Sequence, residues 1–140
     1  MSNPYLIDLP GVVSFSGGRT SGYLLRKILD AYGGQPDDLK IVFNNTGLEV
    51  EETLTFVKEC GEQWGCEITW LEYCVTEGEH DFKIVNFDSA SRNGEPFTAL
   101  IRKKGGEGSA PLPSPVARIC SVNLKMRTTD RYLRTITAFE

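Results

Sequence analysis

Residues 12–25 read Val-Val-Ser-Phe-Ser-Gly-Gly-Arg-Thr-Ser-Gly-Tyr-Leu-Leu, and this stretch limits the folds open to the chain more than any other. An apolar run with β character stops at Ser16-Gly17-Gly18, and an amphipathic helix begins at once. The strand is apolar on both faces, which places it inside a sheet covered on two sides. The join is also suited to holding an anion. Two glycines let the backbone approach a ligand closely. The first helical N–H groups lack partners and lie at the positive end of the dipole. Ser14, Ser16, Gly17, Gly18, Arg19, Thr20 and Ser21 are therefore the candidate phosphate contacts. A plain turn is the competing reading of any Gly-Gly pair. The flanking hydroxyls and the apolar run before them favour the cradle. Neither a Gly-x-x-x-x-Gly-Lys-Ser/Thr loop nor a Gly-x-Gly-x-x-Gly fingerprint is present.

The 140 residues suffice for one domain with a real core. An apolar share of 40% and a charged share of 24% describe a soluble globular chain. No apolar run approaches the roughly 20 residues of a membrane span. The start, Met-Ser-Asn-Pro-Tyr, lacks the regions of a secretory signal, so a cytoplasmic location is expected. Cys60, Cys66, Cys74 and Cys120 contain no Cys-x-x-Cys pair, and free thiols are expected rather than disulfides, a metal site or an iron–sulfur cluster. Net charge is −4, yet residues 118–140 carry five cations against two carboxylates. A basic end on an acidic chain points to a local anion site rather than a nucleic-acid surface.

The periodicity predicts a strand over 12–15 and a helix over 20–32 with Leu24, Leu25, Ile28, Leu29 and Tyr32 as its buried stripe. A second strand is expected over 40–44. The second helix covers 51–64, with Val50, Leu54, Val57 and Trp64 on one side, and a third strand covers 67–73. This alternation implies parallel strands with right-handed crossovers. Ligands in such sheets bind at the carboxyl ends of the strands, which adds Asn44, Asn45, Thr46 and Gly47 to the candidate site. Beyond Tyr73 the pattern predicts a short strand over 83–87, a helix over 95–104, an irregular loop over about 105–116 and a basic helix over about 123–138. Met126, Thr129, Leu133 and Ile136 form the apolar side of that last helix; Arg127, Arg131 and Arg134 read as a solvated face. His80, in Glu-Gly-Glu-His-Asp, reads as exposed.

Four stretches together carry a family likeness. Ser16-Gly17-Gly18-Arg19-Thr20-Ser21 resembles the pyrophosphate-loop (PP-loop) signature of the adenine nucleotide alpha-hydrolase-like superfamily. Asn45-Thr46-Gly47-Leu48-Glu49, with Glu52-Thr53 and Phe56-Val57 after it, resembles the second-strand motif of the phosphoadenosine phosphosulfate (PAPS) reductase family. Residues 90–97, Ala-Ser-Arg-Asn-Gly-Glu-Pro-Phe, and residues 115–121, Pro-Val-Ala-Arg-Ile-Cys-Ser, with Leu124-Lys125, resemble segments of its bacterial and phage members. The likeness covers about residues 10–135. It implies a Rossmann-like three-layer α/β domain with a mostly parallel sheet, spanning residues 1–140, and PAPS or ATP as ligand. Arg118 and Lys125 would then hold anionic oxygens. Cys120 is the candidate catalytic thiol, with a buried inert thiol as the competing reading.

The departures are specific. Thr20 stands where many adenylating relatives have Asp, and no cysteine comes after Cys120, whereas the reductases use a C-terminal Glu-Cys-Gly motif. The chain reads as a C-terminally short member. Three functions remain open: a PAPS reductase-like enzyme drawing on a thiol donor protein, a non-catalytic nucleotide- or partner-binding module, and an ATP pyrophosphatase-like component of nucleic-acid sulfur modification. Glu49 and Glu52 are candidate water-mediated contacts for Mg2+, though helix-start electrostatics accounts for them equally well. An open sheet edge would favour a homodimer.

Overall fold

The computed structural model describes residues 3–105 and 124–136. The candidates Arg118 and Cys120, and nearly all of the loop expected over 105–116, lie outside the described residues. In chain order the elements are β1 (Gly11–Ser14), α1 (Arg19–Tyr32), β2 (Leu39–Asn45), α2 (Glu51–Gln63), β3 (Ile68–Thr76), β4 (Glu79–Val85), α3 (Glu95–Gly105) and α4 (Arg127–Leu133). The strands form one four-stranded sheet in the order β1-β2-β3-β4. β1 and β2 pair in parallel, with Val13 opposite Ile41, and β4 returns antiparallel to β3, with Tyr73 opposite Phe82. The fold is α/β, with a mostly parallel sheet and an antiparallel last strand. Two compact units make up the chain: residues Met1–Phe43 with Val50–Thr69, and Asn44–Glu49 with Trp70–Glu140.

In the first unit, α1 buries Gly22, Leu25, Ile28 and Leu29. Leu24 does not join them and is 45% exposed. The reason lies at Gly22. A Cβ there would sit 3.1 Å from the Phe56 ring of α2, so the close approach of the two helices centres the buried face on Gly22, Leu25 and Leu29. Leu24 lies about 130° around the helix from the centre of that face, more than a third of a turn. The Tyr32 hydroxyl donates to the Ile7 carbonyl. Gly33 ends α1 in the left-handed conformation, its N–H reaching the Asp30 and Leu29 carbonyls. α2 buries Leu54, Val57 and Cys60. Val50, expected on that side, is exposed because it precedes the first helical turn.

In the second unit, β3 runs three residues beyond the expected end and turns through Glu77-Gly78 into β4. Both turn residues have positive φ, 52° and 79°. That is the backbone a two-residue hairpin requires. His80 is consequently a strand residue, half-buried, and not the exposed loop residue expected. Its Nδ1 lies 2.5 Å from the Tyr73 hydroxyl. Tyr73, Leu100 and Leu124 form one buried apolar cluster of this unit, with Phe97 and Ala99 packed on it. α4 packs on β4, the Tyr132 ring meeting Phe82 edge-on at 5.9 Å. The expected long last helix differs: residues 124–126 wind as a π turn, and the regular helix covers only Arg127–Leu133. The wider turn shifts the phase of the residues beyond it. Met126, inside that turn, is exposed, while Thr128 and Thr129 beyond it are buried.

Leu25→Ala should lower the stability to urea by about 2–5 kcal/mol. Leu24→Ala should change it by no more than about 0.5 kcal/mol. Equal losses would contradict this placement of the α1 face.

Candidate functional site

The loop after β1 belongs to the first unit, and its geometry starts from Gly17. This residue is buried with φ +84°, and a Cβ on it would lie 2.7 Å from Thr53 Cγ2 and 3.2 Å from Val57 Cγ2 of α2. Only a glycine fits. The loop is therefore seated directly on the second helix. Two serine hydroxyls then fix its shape. Ser21 Oγ accepts from the Ser16 N–H at 3.0 Å, and Ser16 Oγ accepts from the Gly18 N–H at 3.4 Å. Gly18 is the N-cap of α1, and no side chain caps that helix. Its first turn contains no acid. Ser14, Ser16, Gly18, Arg19 and Thr20 are exposed, and Ser21 is half-buried. The loop thus leaves a helix N-terminus uncapped by any side chain, beside an exposed arginine and several hydroxyls.

The tip of β2 belongs to the second unit and is built quite differently. Asn44, Asn45, Thr46 and Gly47 are all buried. Asn45 donates through Nδ2 to Glu72 Oε2 at 2.7 Å and to the Ser91 carbonyl at 2.9 Å. Its Oδ1 accepts from the Gly47 N–H at 3.2 Å. Gly47, at φ +83°, accepts through its carbonyl from the Gly94 N–H at 3.0 Å. A Cβ on Gly47 would stand 2.8 Å from that same nitrogen. Thr46 Oγ1 donates to Glu49 at 3.3 Å and accepts from the Leu48 N–H. Asn44 Nδ2 donates to Thr129 Oγ1 of α4 at 2.8 Å. Lys125 is half-buried in the π turn, and Glu52 is exposed in the first turn of α2.

The residue that sequence reasoning missed is Glu72. It has no exposed surface, yet its carboxylate is fully engaged. Besides Asn45 it accepts from the Ser91 N–H at 2.6 Å and from Ser91 Oγ at 2.7 Å, and the Lys83 ammonium is 3.8 Å away. A lone acid inside Trp70-Leu71-Glu72-Tyr73 was the available signal. Arg131 is a second correction. Rather than lying on a solvated face, it is half-buried, and its Nη1 is buried without a hydrogen-bond partner. Its charge bears on two neighbours. Burial pushes the Tyr73 phenol up, and Arg131 opposes that shift. Asp81 is held below its ordinary range, first by the Phe82 N–H, then by the Thr76 hydroxyl, and only weakly by Arg131.

Among the thiols, burial pushes Cys60 up to about 11, with Cys66 and Glu59 adding to the effect. Burial also raises Cys66 and Cys74. These are poor nucleophiles in the folded chain.

No family model matches the chain. It is 43% identical over 127 residues to the uncharacterized nin region protein ORF290 of Escherichia phage lambda, an alignment covering 86% of this chain and 41% of that protein. A second similarity, 42% identity over 65 residues, is to an uncharacterized protein of Methanocaldococcus jannaschii, covering 46% of this chain and 13% of that one. The chain thus spans less than half the length of either relative. No solved structure matches. Among the described residues, no helix is long and apolar enough to cross a membrane.

Glu72→Ala should destabilise the chain by about 3–5 kcal/mol in urea unfolding, since it strands Asn45 and Ser91 donors in a buried place. A loss below about 1 kcal/mol would show that the network carries little. Native Cys60 should react with iodoacetamide at pH 8 roughly a hundredfold more slowly than in the unfolded chain. Its folded value lies above the unfolded 9.0, so its stabilising contribution is complete below pH 9 and is lost as pH rises toward 11.

Proposed function

We propose that this chain binds an adenine nucleotide, ATP or PAPS, and that Ser16–Ser21 grips its phosphate chain as the loop of a PAPS reductase-like protein does. One observation carries the reading: α1 starts with neither a side-chain cap nor an acid, directly after a glycine loop seated on α2. Unsatisfied N–H groups at such a start attract an anion through both hydrogen bonds and the helix dipole. Arg19, exposed at the first helical position, adds a charge-assisted donor. Ser16 and Ser21 hold the loop open to this purpose by using their hydroxyls on its backbone. Asn44 to Gly47, Lys125 and Arg118 are proposed ligand contacts on the strength of the motif resemblance.

The proposal is for binding. Thiol reduction, ATP pyrophosphate cleavage and partner docking are the alternative readings for this chain, which matches 41% of its phage relative.

Titration calorimetry with ATP and PAPS tests the grip. Arg19→Glu should leave the fold intact, because an acid in the first turn favours the helix by a few tenths of a kcal/mol. The same change should weaken binding about tenfold or more, through lost attraction and added repulsion. Unaltered affinity in this variant, or no binding by the parent chain, would remove the loop from its assigned role.

A further inference from the structure

Arg131 is a cation without a counter-ion. No described residue forms a hydrogen bond or an ion pair with its guanidinium, and its Nη1 is shielded from solvent. The residue as a whole is half-buried, so part of it still meets water. Its place follows from the packing of α4. That helix lies on β4, with the Tyr132 ring against Phe82. Thr128 is completely buried, and Arg131 follows it by three residues, which sets the two side by side on one helix face. Phe82 stands opposite Tyr73 in the hairpin, and His80 precedes Phe82 by two residues. All three side chains therefore share the strand face that α4 covers. There the Tyr73 hydroxyl and His80 Nδ1 are bonded to each other.

The acids around Arg131 are committed elsewhere. Asp130 pairs with Arg134 at 3.0 Å. Asp81 accepts from the Phe82 N–H at 2.8 Å and from the Thr76 hydroxyl. Glu72 belongs to the opposite strand face, where Asn45, Ser91 and Lys83 enclose it. An arginine in the last turn of a helix commonly serves the helix dipole, or lays its stem on apolar surface with its head in water. Neither account fits a nitrogen that is hidden from water and bonded to nothing. Such a donor costs free energy until an acceptor reaches it.

We infer that the seam between α4 and the β3–β4 hairpin takes a small carboxylate, with the Arg131 guanidinium as its anchor. The site lies in the second unit alone and is independent of the loop after β1 and of any nucleotide. One uncompensated positive charge matches one monoanion. A sulfate or phosphate dianion calls for two cations, and Arg134, three residues on, already holds Asp130. The planar fork of a guanidinium also fits a carboxylate through two parallel hydrogen bonds.

Nuclear magnetic resonance titration of the 15N-labelled chain tests this, with sodium acetate and sodium sulfate as probes and sodium chloride keeping the ionic strength constant. Acetate should shift the Arg131 Nε–H signal and saturate it with a Kd of about 1–30 mM, and sulfate should bind about tenfold or more weakly. In Arg131→Met, followed through the Phe82 and Tyr132 backbone amides, acetate should bind about tenfold or more weakly than in the parent. Should that variant fail to fold, the parent titrations decide alone. Equal responses to acetate and chloride would reveal screening only and overturn the inference. So would the lack of a saturable response in the parent, or an unchanged acetate affinity in a folded Arg131→Met. Tighter binding of sulfate than of acetate would overturn the carboxylate assignment.

Discussion

A carboxylate with no exposed surface must have every strong acceptor site filled, and in the second unit Glu72 imposes that condition on everything around it. Satisfying it requires Asn45 from the end of β2 and Ser91 from the segment before α3. Asn45 in turn orients Gly47, and Gly47 receives Gly94. The turn from 44 to 47 is thus shaped by a chain of polar contacts that begins at one buried acid. Apolar packing alone would not specify it, because hydrophobic contacts are not directional. A network of this kind is costly when incomplete and rigid when complete. It is complete around Asn45, whereas the neighbouring Asn44 uses only Nδ2 and leaves Oδ1 without a hydrogen-bond partner.

The first unit reaches its local order by sterics instead. Gly17 has Thr53 and Val57 where a side chain would be, so the loop is pinned by the absence of a Cβ. Serine hydroxyls then serve the backbone from within the loop, leaving the start of α1 free of a side-chain cap.

How far this was legible in the sequence depends on the range of the interactions. β1, α1, β2, α2 and α3 are set by periodicity and punctuation, and their observed limits fall within one or two residues of expectation. Gly17 was legible because a glycine between a strand and a helix is local information. The hairpin was missed because Glu77-Gly78 is an unusual form of a turn usually signalled by Asn or Asp before Gly. His80 changed character for that reason alone. Leu24 was misplaced because only a contact between two helices, at Gly22, sets which side of α1 turns inward. Met126 was misplaced because it lies inside a π turn, and Arg131 because that turn alters the helical phase beyond it; nothing local announces the turn. Glu72 is the deepest case. Its partners lie 27 and 19 residues away in sequence, so no window of pattern could pair them.

The bend at Glu77-Gly78 has a bearing on how this architecture changes over evolutionary time. Both residues are exposed, and a Cβ added at Gly78 would meet nothing within 4 Å. Lengthening a connection there costs chiefly loop-closure entropy, about 0.6 kcal/mol for each doubling. New segments can therefore be spliced into this corner while the strands on either side keep their register.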